Sequence, residues 1–339
     1  MELIMNNLNV IWFILLCVLF AGFFLLEGFD YGTGILLPVI GKTDVERRQM
    51  INALGPIWDG NEVWMITAGG ALFASFPHVY ATLFSGFYMA LFLMLAVLIM
   101  RGVAFEFRSK SANRTWRKVF DYCIFIGSIV PALLWGVTVG NLIQGTPIDE
   151  TMTYVGTFWD LLSPYTVLCG VAFILVFTYH GGLFTSLKTA GPVSERARAA
   201  ALVTGVPTAI GVIALIIASY VCTDLYNSTL AIVFCALAVV CFLISWGATR
   251  TRNTKWGFLF SSLSIILITA TYFAGLFPRI MVSSLNPAWS LTITNASSSE
   301  YTLALMTAVA AVFVPIVLVY QIWVYWIFRH RVTEKDLHY

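Results

Sequence analysis

Four carboxylates interrupt apolar stretches of this chain, and they are the residues whose types and spacing could do chemistry. Glu27 and Asp30 lie three apart, and Asp59 and Glu62 repeat that spacing after Gly55-Pro56. On a helix, a three-residue separation puts both members of a pair on one face. An ionised acid at the centre of a membrane helix costs about 2.5 to 3.5 kcal/mol on insertion scales, and such groups tend to be functional. Several acids with water between them make a proton relay. The same residues also fit a structural role. Asp59 and Glu62 fall in the first turns of a helix, where the dipole favours negative charge, and Glu27 and Asp30 fit a wetted boundary. On position alone the two readings balance for Glu27 and Asp59, and the structural one weighs more for Asp30 and Glu62.

Other candidate groups offer less. Arg101 closes another apolar run, with Glu106 and Arg108 beyond it. It could neutralise a carboxylate or hold a lipid phosphate, while snorkelling towards the boundary is the default for such a residue. His180 is alone within an apolar run, and His78, His330 and His338 lie outside one. A lone histidine suits a hydrogen bond between helices better than a haem, copper or zinc site, which needs several converging ligands. The six cysteines form no Cys-x-x-Cys pair and read as small apolar residues.

The elements that must position these groups follow from composition. Of 339 residues, 59% are hydrophobic and 11% charged, against about 25% charged in soluble domains. A soluble enzyme is excluded, and no segment mixes Lys/Arg with aromatics as a nucleic-acid surface does. Apolar runs near 9–29, 57–76, 80–105, 119–141, 163–187, 200–221, 229–247, 257–277 and 303–328 are each long enough to cross a bilayer. The expectation is an all-α polytopic membrane protein, with residues 1–339 forming one transmembrane domain of nine helices. Alternate connecting segments hold 18 of the 19 Lys and Arg residues, and the opposite ones hold only Arg279 with Glu2, Asp149, Glu150, Asp160, Asp224 and Glu300. By the positive-inside rule the amino terminus is outside and the carboxyl terminus cytoplasmic. The first span then runs inward and the second outward, bringing all four carboxylates to the cytoplasmic side.

Local signals refine this outline. From Val10 to Ile40 a helix would be about 46 Å long, beyond the roughly 30 Å core, so it is expected to loosen or end near Gly32 to Pro38. The segment Asp44 to Leu54 suggests a short interfacial helix with an acidic N-cap. The external segment from Pro278 to Thr302 has Pro287, Ser and Asn but no strong period, and looks like an ordered cap or loop. Gly28-x-x-x-Gly32, Gly69-Gly70-Ala71 and Gly205-x-x-x-Ala209 allow close helix contact. Most of the eleven tryptophans lie near span ends, as interface belts require.

The blocks Glu27-Gly-Phe-Asp-Tyr-Gly-Thr-Gly-Ile-Leu-Leu-Pro38, Gly55-Pro-Ile-Trp-Asp-Gly-Asn-Glu-Val-Trp64, Ala68-Gly-Gly-Ala-Leu-Phe-Ala74 and Arg101-Gly-Val-Ala-Phe-Glu-Phe-Arg-Ser-Lys110 resemble subunit II of the cytochrome bd quinol oxidases. The likeness continues through Asn141-Leu-Ile-Gln-Gly145 and Phe277-Pro278 to Tyr320–Tyr325, and so spans the chain in order. It implies two four-helix bundles plus a peripheral helix, packed against a haem-bearing subunit I in a prokaryotic cell membrane. Subunit I would ligate haems b558, b595 and d. The complex would oxidise quinol at the outer face and reduce O2 to water with cytoplasmic protons, generating a proton motive force. A bound quinone and small accessory subunits stay open. The resemblance also implies a proton path through Glu27 and Asp59, which Asp30 and Glu62 would support, and places Trp64 and Arg101 near the subunit interface or O2 route. Some relatives carry Asp where this chain has Glu27, so the reach is one methylene longer. The alternatives are a proton-coupled secondary transporter, whose repeat-related broken helices are not evident here, and a purely structural partner subunit.

Overall fold

A computed structural model describes residues 7–337, which form eleven α-helices with two longer connections, after Gln144 and after Leu276. Glu2 and His338 lie outside the described residues. The helices are α1 (Leu8–Ile40), α2 (Asp44–Leu54), α3 (Trp58–Ser75), α4 (Pro77–Gly86), α5 (Tyr88–Phe107), α6 (Arg114–Gln144), α7 (Pro164–Lys188), α8 (Pro192–Cys222), α9 (Thr229–Arg250), α10 (Thr254–Leu276) and α11 (Glu300–Ile327). Eight of them, α1 and α5 to α11, are long and apolar enough to cross a membrane. The run expected over 57–76 forms α3, which is less apolar because its first two turns carry Asp59, Asn61 and Glu62.

Two expectations are corrected. α1 does not end near Gly32 to Pro38 but continues to Ile40. Pro38 falls in its last turn, and the glycines upstream are held by packing. The run 80–105 is not one helix. Pro77 opens the separate helix α4, whose Thr82 hydroxyl donates to the Met152 carbonyl oxygen at 2.5 Å, and α5 starts afresh at Tyr88. Proline is suited to a first helical position because its missing N–H would have no intrahelical partner there.

α1 is the central helix, packing against α3, α6, α7 and α10. Its contact with α7 is backbone on backbone. A Cβ at Gly32 would lie 1.8 Å from the Phe177 carbonyl oxygen, and one at Gly181 would lie 2.3 Å from the Gly32 carbonyl carbon. Gly205 similarly receives the Trp246 ring, whereas Gly69 and Gly70 face open space and make no such contact within this chain. α11 touches mainly α1 and α3, and it buries only Leu303.

The two ends of the bundle differ. At one end the segment after α10 is an ordered cap, with strands β1 (Arg279–Met281) and β2 (Leu291–Thr292) antiparallel. Ile280, Met281, Leu291 and Ile293 bury against Leu8, Trp12 and Phe76. At the other end α2 is capped by Thr43 rather than by Asp44, through a reciprocal box with Glu46. Asp44 is left free to pair with Arg108 at 3.0 Å and Arg117 at 2.6 Å.

The α1–α7 contact predicts that Gly181→Leu costs at least about 3 kcal/mol, the upper range for overpacking, because the obstructing atoms are backbone. Gly247→Leu, at a position with nothing within 4 Å, should leave the chain intact. The yield of monodisperse protein extracted from membranes distinguishes the two, and equal yields would contradict this packing.

Candidate functional site

α1, α3 and α5 bring three of the four carboxylates around one arginine. Glu27, Asp30 and Arg101 are completely buried, whereas the Glu62 side chain keeps 26% exposure. Arg101 Nη1 lies 3.0 Å from Glu62 Oε1 and 3.6 Å from Glu27 Oε2. Its guanidinium carbon stands 5.1 Å from the Tyr31 ring centroid and 5.0 Å from that of Phe105, within cation–π range. Gly127 on α6 admits the arginine, since a Cβ there would approach Arg101 Cβ to 2.5 Å. Arg101 therefore does not snorkel. It turns inward because a boundary position with three carboxylates on its inner side offers stronger partners than headgroup water.

Asp30 belongs to a second chain of contacts. The Asn61 side-chain amide donates to Asp30 Oδ2 at 2.7 Å, and the Tyr325 hydroxyl donates to Asn61 Oδ1 at 2.6 Å. The chain Asp30–Asn61–Tyr325, buried at its first two members and half-buried at Tyr325, thus links α1, α3 and α11. Among the described residues, Asp30 Oδ1 is buried without a hydrogen-bond partner. Such atoms are ordinarily satisfied by internal water or protons.

Asp59 does not join this cluster. It is exposed about one turn before Glu62 on the same side of α3, away from the buried Asn61, and makes no ion pair with Arg101. Trp64 is half-buried: its ring fills the space over Gly22 of α1 and its indole N–H donates to Gln321 Oε1 of α11 at 2.8 Å. Asn61, Tyr31 and Tyr325 escaped sequence reasoning as members of the cluster. A polar residue amid an apolar run was the available signal for Asn61, and the two tyrosines look like ordinary interface aromatics.

A further ionic group closes the end of the bundle. Asp121 on α6 receives Arg108 Nε at 2.5 Å and Arg47 Nη1 at 2.6 Å. Arg47 Nε also donates to the Gly41 carbonyl at the end of α1 at 2.9 Å. Arg108 is buried and shared by Asp121 and Asp44, so α1, α2, α5 and α6 are tied together beyond the last apolar turn.

His180 makes the interhelical hydrogen bonds expected of it. Nδ1 lies 2.8 Å from Ser261 Oγ, Nε2 lies 3.2 Å from the Leu25 carbonyl oxygen, and the ring stacks on Phe258 at 4.8 Å. Both nitrogens are engaged and the ring is enclosed, so it offers no axial position to a haem iron. Among the described residues no group of three or more His, Cys, Asp or Glu side chains could hold a metal ion.

A bundle of long apolar helices enclosing an acid-rich ionic cluster defines a polytopic membrane protein. The chain matches the family described as cytochrome bd terminal oxidase subunit II over residues 8–328 and belongs to that family. It is 40% identical to the cytochrome bd ubiquinol oxidase subunit 2 of Bacillus subtilis, over 98% of this chain and 99% of that one. It is also 40% identical to the cytochrome bd-I ubiquinol oxidase subunit 2 of Escherichia coli, over 97% and 96% of the two chains. The bd oxidase structure from Geobacillus thermodenitrificans superposes with a TM-score of 0.76 at 17% identity, covering 95% of this chain and 97% of that one, and shares the fold. This is accordingly a multi-pass bacterial membrane subunit of an oxidoreductase complex in respiratory electron transport. Its complex includes subunit I and carries haems.

The ion cluster generates a paired prediction. Arg101→Gln leaves Glu27 without its only nearby cation and should cost about 3 to 5 kcal/mol, seen as loss of assembled complex in membranes. Adding Glu27→Gln should restore part of that loss, whereas equal losses in the single and double variants would show that the pairing is not what stabilises the site.

Proposed function

We propose that this chain is the non-haem-ligating subunit II of a quinol:O2 oxidoreductase, which supports assembly of the haem-bearing subunit I and supplies it with cytoplasmic protons. The observation that carries this reading is the set of three carboxylates, Glu27, Asp30 and Glu62, around the single guanidinium of Arg101. One positive charge balances one carboxylate, so neutrality in a buried site calls for protons on the others. A cluster that must carry protons and has one partly exposed member, Glu62, has the composition of a relay with an entrance.

In this account protons enter along the flank of α3 at exposed Asp59 and partly exposed Glu62, collect on Glu27 and Asp30 around Arg101, and pass from there toward subunit I. Trp64 anchors α3 to α1 and α11. Subunit I ligates haems b558, b595 and d, oxidises quinol at the outer face and reduces O2 to water. Releasing protons outside and consuming them from inside generates the proton motive force without a pump.

The topology belongs to the same proposal. α3 crosses the membrane as a ninth span, because an even number of crossings would break the 18-to-1 division of Lys and Arg between the two sides. The amino terminus is then outside and the carboxyl terminus cytoplasmic. All 339 residues form one domain, with α1, α3, α5 and α6 as one four-helix bundle, α7 to α10 as the other, and α11 peripheral.

Glu27→Gln and Asp59→Asn test the path in the assembled, haem-loaded complex reconstituted in vesicles. Both should reduce turnover and voltage generation at least about tenfold, near 1.4 kcal/mol of barrier, with unchanged haem absorbance. Normal turnover in either variant would remove that residue from the path, and a parallel fall in haem content would indicate a structural role instead.

A further inference from the structure

At the end of the bundle that carries Lys188 and Arg329, a cavity of about 300 Å³ lies among α1, α7, α10 and the end of α11. Its walls are apolar, with Phe29, Phe184 and Phe258 at their centre and the Phe29 and Phe184 rings stacked at 4.1 Å. Two cations stand on its lining, and none of its lining side chains is acidic. Lys188 Nζ donates to the carbonyl oxygens of Phe328 and His330, so the ammonium is fixed at the end of α11. Arg329 Nη1 donates to the Trp326 carbonyl oxygen at 2.7 Å, and its guanidinium stacks on the Trp326 ring at 4.4 Å. Both cations retain N–H groups for a further acceptor, since lysine has three donors and arginine five.

We infer that this cavity binds one membrane phospholipid with an anionic headgroup, its phosphate held by Lys188 and Arg329 and one acyl chain lying against Phe29, Phe184 and Phe258. Three observations converge on that occupant. An apolar cavity of about 150 Å³ already takes up small hydrocarbon in preference to water, and this one is about twice that size. Its charge is wholly positive, and a juxtamembrane Lys or Arg is attracted to anionic lipid headgroups. Finally, α11 is tied to the rest of the chain by spaced polar contacts, Trp12 to Thr307, Trp64 to Gln321 and Tyr325 to Asn61, so the cavity lies beside a helix that lipid can reach from the side. The site does not depend on the proton path proposed above, although Tyr325 forms part of its floor.

The test uses the purified two-subunit complex, delipidated and then offered dioleoylphosphatidylglycerol or dioleoylphosphatidylcholine, with retention read by native mass spectrometry. The phosphatidylglycerol should stay bound under conditions that strip the phosphatidylcholine. Arg329→Gln should weaken it, and Lys188→Gln with Arg329→Gln should weaken it about tenfold or more. Ser262→Trp, which fills the cavity without altering charge, should remove it while haem content stays normal. Equal retention of both lipids, retention unaffected by these variants, or displacement by inorganic phosphate alone would overturn the inference. So would a structure of the complex with polypeptide in the cavity.

Discussion

One guanidinium among three carboxylates is the constraint around which the rest of the chain is arranged. Arg101 has no exposure, so its charge is compensated by Glu27, Glu62 and their neighbours. Removing either sign would leave a buried, unpaired ion, among the costliest defects in a folded protein. The cluster therefore fixes the relative positions of α1, α3 and α5. The aromatic faces of Tyr31 and Phe105 close it from the other sides.

That arrangement needs a rigid frame, which two different kinds of contact supply. Within the apolar layer, where lipid provides no hydrophobic drive for association, the frame is close backbone packing, seen most tightly between Gly32 and Gly181. Beyond the layer it is ionic, with Asp121 and Asp44 shared among Arg47, Arg108 and Arg117. The acid cluster on α1 lies beside the close backbone contact, on its side away from the ionic layer. Further along α3, Gly69 and Gly70 have nothing within 4 Å.

Much of this was legible in the sequence. Apolar run lengths located the long helices, and the three-residue spacing of Glu27 and Asp30 put both on the buried face of α1. What escaped was helical phase and side-chain direction. α3 buries Asn61, Ala68 and Leu72, and at about 100° per residue Asp59 lies about 200° from Asn61, on the far side of the helix. Asp59 and Glu62 share a face, but the buried face begins between Glu62 and Asn61, so only Glu62 reaches Arg101. The inward turn of Arg101 was hidden for another reason. A residue at the end of a span can direct a long side chain towards either water or protein, and only the presence of partners on neighbouring helices decides. The break at Phe87 was missed because a short helix and a long span share the same apolar composition.

The central claim is that the cluster around Arg101 holds exchangeable protons. Infrared difference spectroscopy of the oxidised and reduced complex, in H2O and in D2O, tests it most directly. The account predicts a carboxylic-acid C=O stretch that shifts in D2O and is lost in Glu27→Gln or Asp30→Asn. A band set that is identical in wild type and both variants would contradict it.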